Sequence, residues 1–166
     1  MTGVKGEAGP TGRTVQATVA HRREQLGLTF AQLSRQLINN GRNLAPLALR
    51  RIETGQRRVD VDDLVALAAA LECSPITLLM PPDTDAADIV QLTGVKGLGV
   101  SAERAWAWLN ASYPLQGDVL KFFGKALPRW ECDDMAESLG SRLGTIRSQP
   151  QPGGVRFPNT HPPQPD

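Results

Sequence analysis

The sequence predicts an all-α protein, with a five-helix N-terminal domain followed by a small, mostly helical C-terminal region and a disordered tail. Three features of the sequence predict this fold class. Apolar residues recur at helical spacing, capping residues or prolines precede these stretches, and glycine or proline follows them. Five such stretches joined by short loops indicate one compact helical domain.

Composition and periodicity divide the chain into five segments. Hydrophobic residues make up 40% and charged residues 21%, which is ordinary for a globular protein. The last nineteen residues contain six prolines, a composition typical of disorder. The predicted segments are a flexible N-terminal arm at 1–13, the five-helix domain at 14–82, a linker with a short strand at 83–100, an aromatic-rich helical region at 101–147 and a disordered tail at 148–166.

The first two helices are predicted on either side of a short glycine-containing loop. The helical period of the first begins at Thr14. Thr29 is predicted to be the N-cap of the second helix, in which Phe30, Leu33 and Leu37 share one buried face. The NNGRN segment that follows is rich in turn-forming residues.

The third helix is predicted between Pro46, which suits its first turn, and Gly55, which suits the position after its end. At 100° per residue, one side of this helix must face the core. The residues on that side are Ala45, Ala48, Leu49 and Ile52. The residues on the opposite side are Leu47, Arg50, Arg51 and Thr54. The exposed side therefore holds two adjacent arginines and no acidic residue.

Asp60 or Asp62 is predicted to cap the fourth helix, and Ser74 with Pro75 opens the fifth. Together with Asp63, the first two acids resemble the paired carboxylates of an enzyme. Capping at the start of a helix explains the three acids more simply.

The C-terminal region is predicted to contain three helices, one capped by Ser101 and the others at 118–127 and 133–146. Six of the eight aromatic residues fall between Trp106 and Trp130. This density indicates a small core, a homodimer interface or a surface for a ligand or protein partner, and the sequence leaves these open. The residues assigned to this surface are Trp106, Trp108, Phe122, Phe123 and Trp130.

The formal net charge of +1 conceals two segregated blocks of charge. Residues 13–59 contain nine Lys or Arg and two acidic residues, whereas 60–92 contain seven acidic residues and no Lys or Arg. Four of the arginines lie in LRRIETGQRR at 49–58. A basic block of this kind is typical of a surface that binds a polyanion. The alternative is a basic face paired internally with the acidic block.

The stretch LRRIETGQRRVDVDDLVALAAALECSPITLL resembles the lambda-repressor-like (Xre-type) helix-turn-helix family. The shared pattern is Ile-Glu-x-Gly, a basic loop, a Leu/Ala helix, and Ser-Pro before a short closing helix. Upstream, REQLGLTFAQLSRQL matches the first two helices of the family. The resemblance covers 14–82 and implies a five-helix domain whose third helix enters the major groove of DNA.

The resemblance also implies roles for individual residues. Arg23 and Glu53 match a structural ion pair of the family. Arg51 and Leu47 match positions that contact bases, and Thr29 starts a helix whose N-terminus meets the DNA backbone. The remaining residues at or beside DNA-contacting positions are Arg50, Gln56, Arg57 and Arg58.

Three features depart from the family pattern. The connection between the second and third helices is longer than usual, so either the second helix runs an extra turn or Arg42 and Asn43 add a phosphate contact. Phe30 occupies a place where a glutamine often hydrogen-bonds the DNA backbone. Apolar Leu47 and Ala48 offer methyl contacts, such as to thymine.

These features favour a sequence-specific, double-stranded DNA-binding transcription regulator, a repressor of phage or mobile-element type that acts as a dimer. The alternative is an antitoxin-like or other interaction protein whose C-terminal half binds a partner protein. A third reading is a helix-turn-helix used only for protein contacts.

An enzyme is not expected, because His21 and His161 have no credible catalytic partner in sequence and no P-loop or dinucleotide fingerprint occurs. Neither a metal nor a cofactor is predicted. Cys73 and Cys132 are far apart, and no apolar stretch suits a membrane span or a secretory signal. The predicted location is the cytoplasm.

Overall fold

The computed structural model describes residues 8–134 and 137. Its elements, in chain order, are α1 (Pro10–Gln25), α2 (Phe30–Asn39), α3 (Pro46–Glu53), α4 (Val61–Ala70), α5 (Pro75–Leu78), β1 (Ile89–Val90), β2 (Val100–Ser101), α6 (Ala102–Leu109) and α7 (Val119–Ala126). The predicted fold class is confirmed, since the described chain is mostly helical and β1 and β2 form a two-stranded sheet.

The chain falls into two compact units that divide between Phe123 and Gly124. In the second unit, residues 129–134 and 137 are helical. Most of the helix predicted at 133–146, the tail at 148–166 and the first seven residues of the predicted arm lie outside the described residues.

The first helix begins at Pro10 rather than at the predicted Thr14. Pro10 suits the first turn because its fixed φ is helical and its missing N–H needs no partner there. This turn is also held from outside, because the Thr11 N–H donates to Thr93 Oγ1 at 3.3 Å and Thr11 Oγ1 accepts from the Thr93 N–H at 2.8 Å. Residues 10–13 of the predicted arm are therefore helical.

One hydrophobic core joins the first five helices. Its buried side chains are Val15, Val19, Leu33, Leu37, Leu44, Leu49, Ile52, Leu67, Ala68, Ala70, Leu71 and Leu78. The inner face of α3 supplies Leu49 and Ile52, which contact no solvent. Ala45 was predicted on this face and is exposed, because it is the N-cap and precedes the helical turns. Burial of these faces fixes which side of α3 meets solvent.

A second, smaller cluster lies beyond the five helices. Its buried members are Val90, Leu92, Ala102 and Ala105. Strands β1 and β2 pair antiparallel, with Val90 opposite Val100. Gly99 has a φ of +109°, and a Cβ there would lie 2.6 Å from the carbonyl oxygen of Val90, so only glycine fits this turn. The segment 83–100, predicted as a linker with a short strand, thus contains β1 and part of a buried cluster.

Candidate nucleic-acid-binding site

The outer face of α3 is open to solvent along its length. Leu47 is 58% exposed, and Arg50 and Arg51 are exposed beside it. Within residues 8–134, no acidic side chain pairs with either guanidinium group. The Thr54 hydroxyl donates to the carbonyl of Arg50 at 2.9 Å, which closes the last turn of the helix. This face therefore offers two adjacent cationic donors and an apolar side chain.

The inner side of α3 is braced by an ion pair at its C-terminal end. Arg23 donates from Nε to Glu53 Oε1 at 2.7 Å and from Nη2 to Oε2 at 2.9 Å. The two side chains are 12% and 9% exposed, and the hydrogen bond that Arg23 donates to Glu53 raises the pKa of Arg23. The structure thus brings together the two residues that the resemblance paired.

Phe30 contributes to the same brace. Its ring centroid lies 4.4 Å from the guanidinium carbon of Arg23, within the range of a cation–π contact. Arg23 Nη1 also donates to the carbonyl of Leu28 at 3.0 Å. Phe30 occupies a position where the family often has a DNA-contacting glutamine. Here its ring packs against Arg23 and so supports the Arg23–Glu53 ion pair.

The N-terminus of α2 is fixed by a capping box. Thr29 Oγ1 accepts from the backbone N–H of Gln32 at 3.2 Å, and Gln32 Oε1 accepts from the backbone N–H of Thr29 at 2.8 Å. The middle of α2 is tied to the segment that precedes α3, because the Ser34 hydroxyl donates to the carbonyl of Leu44 at 2.7 Å. The exposed Thr29 thus sits at the positive end of a well-anchored helix.

The connection between α2 and α3 is not an extra helical turn. The second helix ends at Asn39, and Gly41 then adopts a φ of +85°. The backbone N–H of Arg42 donates back to the carbonyl of Leu37 at 2.8 Å, which closes the helix end. The added residues instead form a loop that carries Arg42 toward α4, while Asn43 is exposed.

Two of the arginines assigned to DNA contacts are bound to an acid of α4. Arg42 Nε donates to Asp63 Oδ1 at 2.8 Å, and Arg57 Nη2 donates to Asp63 Oδ2 at 2.7 Å. Arg42 Nη2 also reaches Asp60 Oδ2 at 3.1 Å. The hydrogen bond to Asp63 raises the pKa of Arg42. These two arginines are therefore paired internally with the acidic block, which was the alternative interpretation of the basic segment.

Sequence reasoning assigned Asp60 and Asp63 alike to helix capping. Asp60 is indeed the N-cap of α4 and accepts the backbone N–H of Asp63 at 2.7 Å. Asp63 itself is fully buried, with 0% of its surface exposed. One sequence signal marks the difference, because Asp63 precedes Leu67 and Leu71 at four-residue intervals and so lies on the buried stripe of the helix. The other residues assigned to DNA contacts, Gln56 and Arg58, are exposed in the loop after α3.

The aromatic residues of the C-terminal region lie largely at the surface. Trp106, Trp108 and Trp130 are 42%, 37% and 68% exposed. The side of α6 that packs inward consists of alanines instead. Trp108 and Phe122, together with Lys96, line an open cleft of about 450 Å³, and the Phe122 and Phe123 rings lie 5.9 Å apart. None of the three tryptophans is buried in a core.

Residues 17–78 match a family model described as a helix-turn-helix domain. No curated protein and no solved structure matches the chain in the other two comparisons. The matched segment contains α2, α3 and the buried Asp63. This part of the chain is a helix-turn-helix domain, a DNA-binding class, as its Xre-type pattern indicated.

The described residues contain no group of three or more His, Cys, Asp or Glu side chains arranged to hold a metal ion. Over the same residues, no helix combines the length and apolar character needed to cross a bilayer.

Proposed function

We propose that the protein is a sequence-specific transcription regulator, a repressor of phage or mobile-element type, that reads the major groove of double-stranded DNA with α3. The observation that carries this proposal is the outer face of α3, where Leu47, Arg50 and Arg51 are exposed together. An arginine can donate two hydrogen bonds to O6 and N7 of guanine, and a leucine can contact the methyl group of thymine.

Residues around α3 are proposed to contact the DNA backbone. Thr29 lies at the N-terminus of α2, where backbone N–H groups and the helix dipole favour a phosphate. Asn43, Gln56 and Arg58 are exposed in the connections on either side of α3. Arg50 is proposed to contact a phosphate as well. Such contacts fix the register of α3 on the duplex, while the other exposed side chains of the helix discriminate between bases.

The regulator is proposed to act in the cytoplasm as a homodimer on paired half-sites. A single domain of this size buries too little surface on DNA for high specificity, so two copies are expected on one operator. Aromatic side chains of the C-terminal region are proposed to make the contact between copies or with a protein partner. These residues are Trp106, Trp108, Phe122, Phe123 and Trp130, of which the three tryptophans are exposed.

Selection of binding sites from a random duplex library at about 0.15 M salt tests the proposal. We expect an enriched inverted repeat for the full-length protein. A variant carrying Arg50→Ala and Arg51→Ala should lose the enrichment, whereas Arg129→Ala, which removes an arginine whose side chain is 93% exposed in the second unit, should retain it. A folded protein that enriches no sequence would overturn the proposal.

The exposure of three tryptophans also favours a second function, that of an antitoxin-like or other module that binds a protein partner. Large exposed aromatic side chains are enriched at such interfaces. Light scattering on the purified protein separates the two uses of this surface. A homodimer that Trp106→Ala converts to a monomer supports the contact between copies, and a monomer that copurifies with another protein at fixed stoichiometry supports the partner.

A further inference from the structure

Asp63 is a charged residue in an apolar core. Its carboxylate has no exposure to solvent, and Leu67 and Leu71, four and eight residues further along the chain, are buried as well. An ionised carboxylate in such a place is very costly unless hydrogen-bond donors surround it. Arg42 and Arg57 supply charged donors, one to each oxygen, at 2.8 and 2.7 Å. The site is therefore built around an acid with two cationic partners.

The two partners of Asp63 come from the two connections that flank α3 in the chain. Arg42 lies in the connection that precedes the helix, and Arg57 lies in the loop that follows it. One carboxylate of α4 thus ties down both connections. The longer α2–α3 loop makes this contact, because it places Arg42 within reach of Asp63.

We propose that Asp63 is a positioning residue for DNA recognition, which holds both ends of α3 through Arg42 and Arg57. We call these three residues the α3 clamp. In this assignment, Arg42 and Arg57 orient the helix and do not supply the charge that neutralises phosphates. The inference rests on the proposed function, since it assigns a role within the same DNA-binding site.

Charge counting supports this division of roles. Arg42 and Arg57 contribute two positive charges, and three carboxylates at the start of α4 lie within 3.8 Å of them. The cluster therefore has no net positive charge, whereas Arg50 and Arg51 have no acidic partner among residues 8–134. Counterion release from DNA requires net positive charge at the phosphates, so only the second pair should strengthen the salt dependence of binding.

The salt dependence of DNA binding gives the first test. Measured on the selected duplex, Arg50→Ala should reduce the slope of log K against log salt by about 0.9, the value for one phosphate contact. Arg57→Ala should leave that slope unchanged but lower the preference for the selected duplex over a scrambled one by about tenfold, roughly the worth of one discriminated base pair. A slope that falls in Arg57→Ala as it does in Arg50→Ala, with preference intact, assigns Arg57 to phosphate and overturns the clamp.

A second variant guards against loss of the fold. Combining Arg42→Met, Arg57→Met and Asp63→Leu replaces a buried carboxylate and its two partly exposed arginine partners with apolar side chains. Exchanging a buried ionic group for apolar residues is often neutral or stabilising. We expect a protein with the wild-type melting temperature or higher, about tenfold weaker duplex preference, and faster amide hydrogen exchange confined to α3 and its flanking loops. A folded triple variant with wild-type preference and wild-type exchange in α3 would refute the clamp. Hydrogen exchange needs no DNA, so it still tests the clamp if the wild-type protein fails to bind any duplex, a result that counts against the proposed function instead.

Discussion

The outer face of α3 and the two connections that flank it carry the same chemical group in different surroundings. Arg50 and Arg51 extend from the helix with no acidic partner among the described residues, whereas Arg42 and Arg57 are held against the buried Asp63. The position of α4 causes the difference, because the acidic residues at its start contact the two connections and not the outer face of α3. A basic block in a sequence therefore divides into ligand-facing and internally paired charges according to where the acidic block folds.

The largest expected effect concerns the inner charges, which should act on stability. Glu53→Ala leaves Arg23 without its bidentate partner at a site where both side chains are nearly buried. We expect a loss of about 3–5 kcal/mol in the free energy of unfolding, measured by urea denaturation. Glu24 pairs with the same arginine at 3.2 Å but is 69% exposed, so Glu24→Ala should cost less than about 1 kcal/mol. Equal losses in the two variants would contradict the idea that burial makes this pair structural.

Two leucines of α3 extend the comparison from charges to apolar groups. Leu49 is fully buried and Leu47 is 58% exposed on the opposite face. Leu49→Ala should cost about 2–5 kcal/mol of stability because it leaves a cavity in the core. Leu47→Ala should change stability by less than about 0.5 kcal/mol. If Leu47→Ala is the more destabilising of the two in thermal and chemical unfolding, the outer face of α3 is assigned wrongly.

Arg51→Ala should separate binding from stability on the outer face. The side chain has no acidic partner among residues 8–134, so the free energy of unfolding should be unchanged. Binding to the selected duplex should weaken by about 1–3 kcal/mol, with relaxed preference at one base pair. Titration of duplexes that each carry a single base-pair change measures this. Full affinity and unchanged selectivity would show that α3 is not the helix that reads bases.

Much of the helix-turn-helix domain could be predicted from the sequence, because its determinants are local. Thr29, Asp60 and Ser74 cap helices through hydrogen bonds that span two or three residues. Helical geometry alone placed Leu49 on the buried face of α3 and Leu47 on its exposed face. Signals of this kind are contained within a few residues, so a sequence reveals them without knowledge of the tertiary fold.

The α3 clamp could not be predicted in the same way, because it joins residues that are distant in sequence. Arg42 and Asp63 lie 21 positions apart, and only the packing of α2 against α4 brings them together. The start of α1 at Pro10 could not be predicted for a similar reason, since Thr11 is hydrogen-bonded to Thr93, in the segment predicted as a linker. The burial of α6 is also long-range, since its alanines pack in one cluster with Val90 and Leu92, whereas the two tryptophans of the helix are exposed.

The smallest expected effect lies at Thr29, where a single side chain both caps α2 and is proposed to meet the DNA backbone. Its hydroxyl caps α2 at 3.2 Å, so Thr29→Ala should cost about 1 kcal/mol of stability. Thr29→Asp keeps a capping oxygen and adds a negative charge that the helix dipole favours, so its stability should equal or exceed that of the wild-type protein.

A phosphate at the N-terminus of α2 would be repelled by the new carboxylate, so Thr29→Asp should bind the selected duplex more weakly than Thr29→Ala does, although it is the more stable variant. Unfolding curves and duplex titrations on the two variants measure this reversal of order. Tighter binding by Thr29→Asp than by Thr29→Ala would show that affinity follows the stability of the cap, and that the DNA backbone does not approach this end of α2.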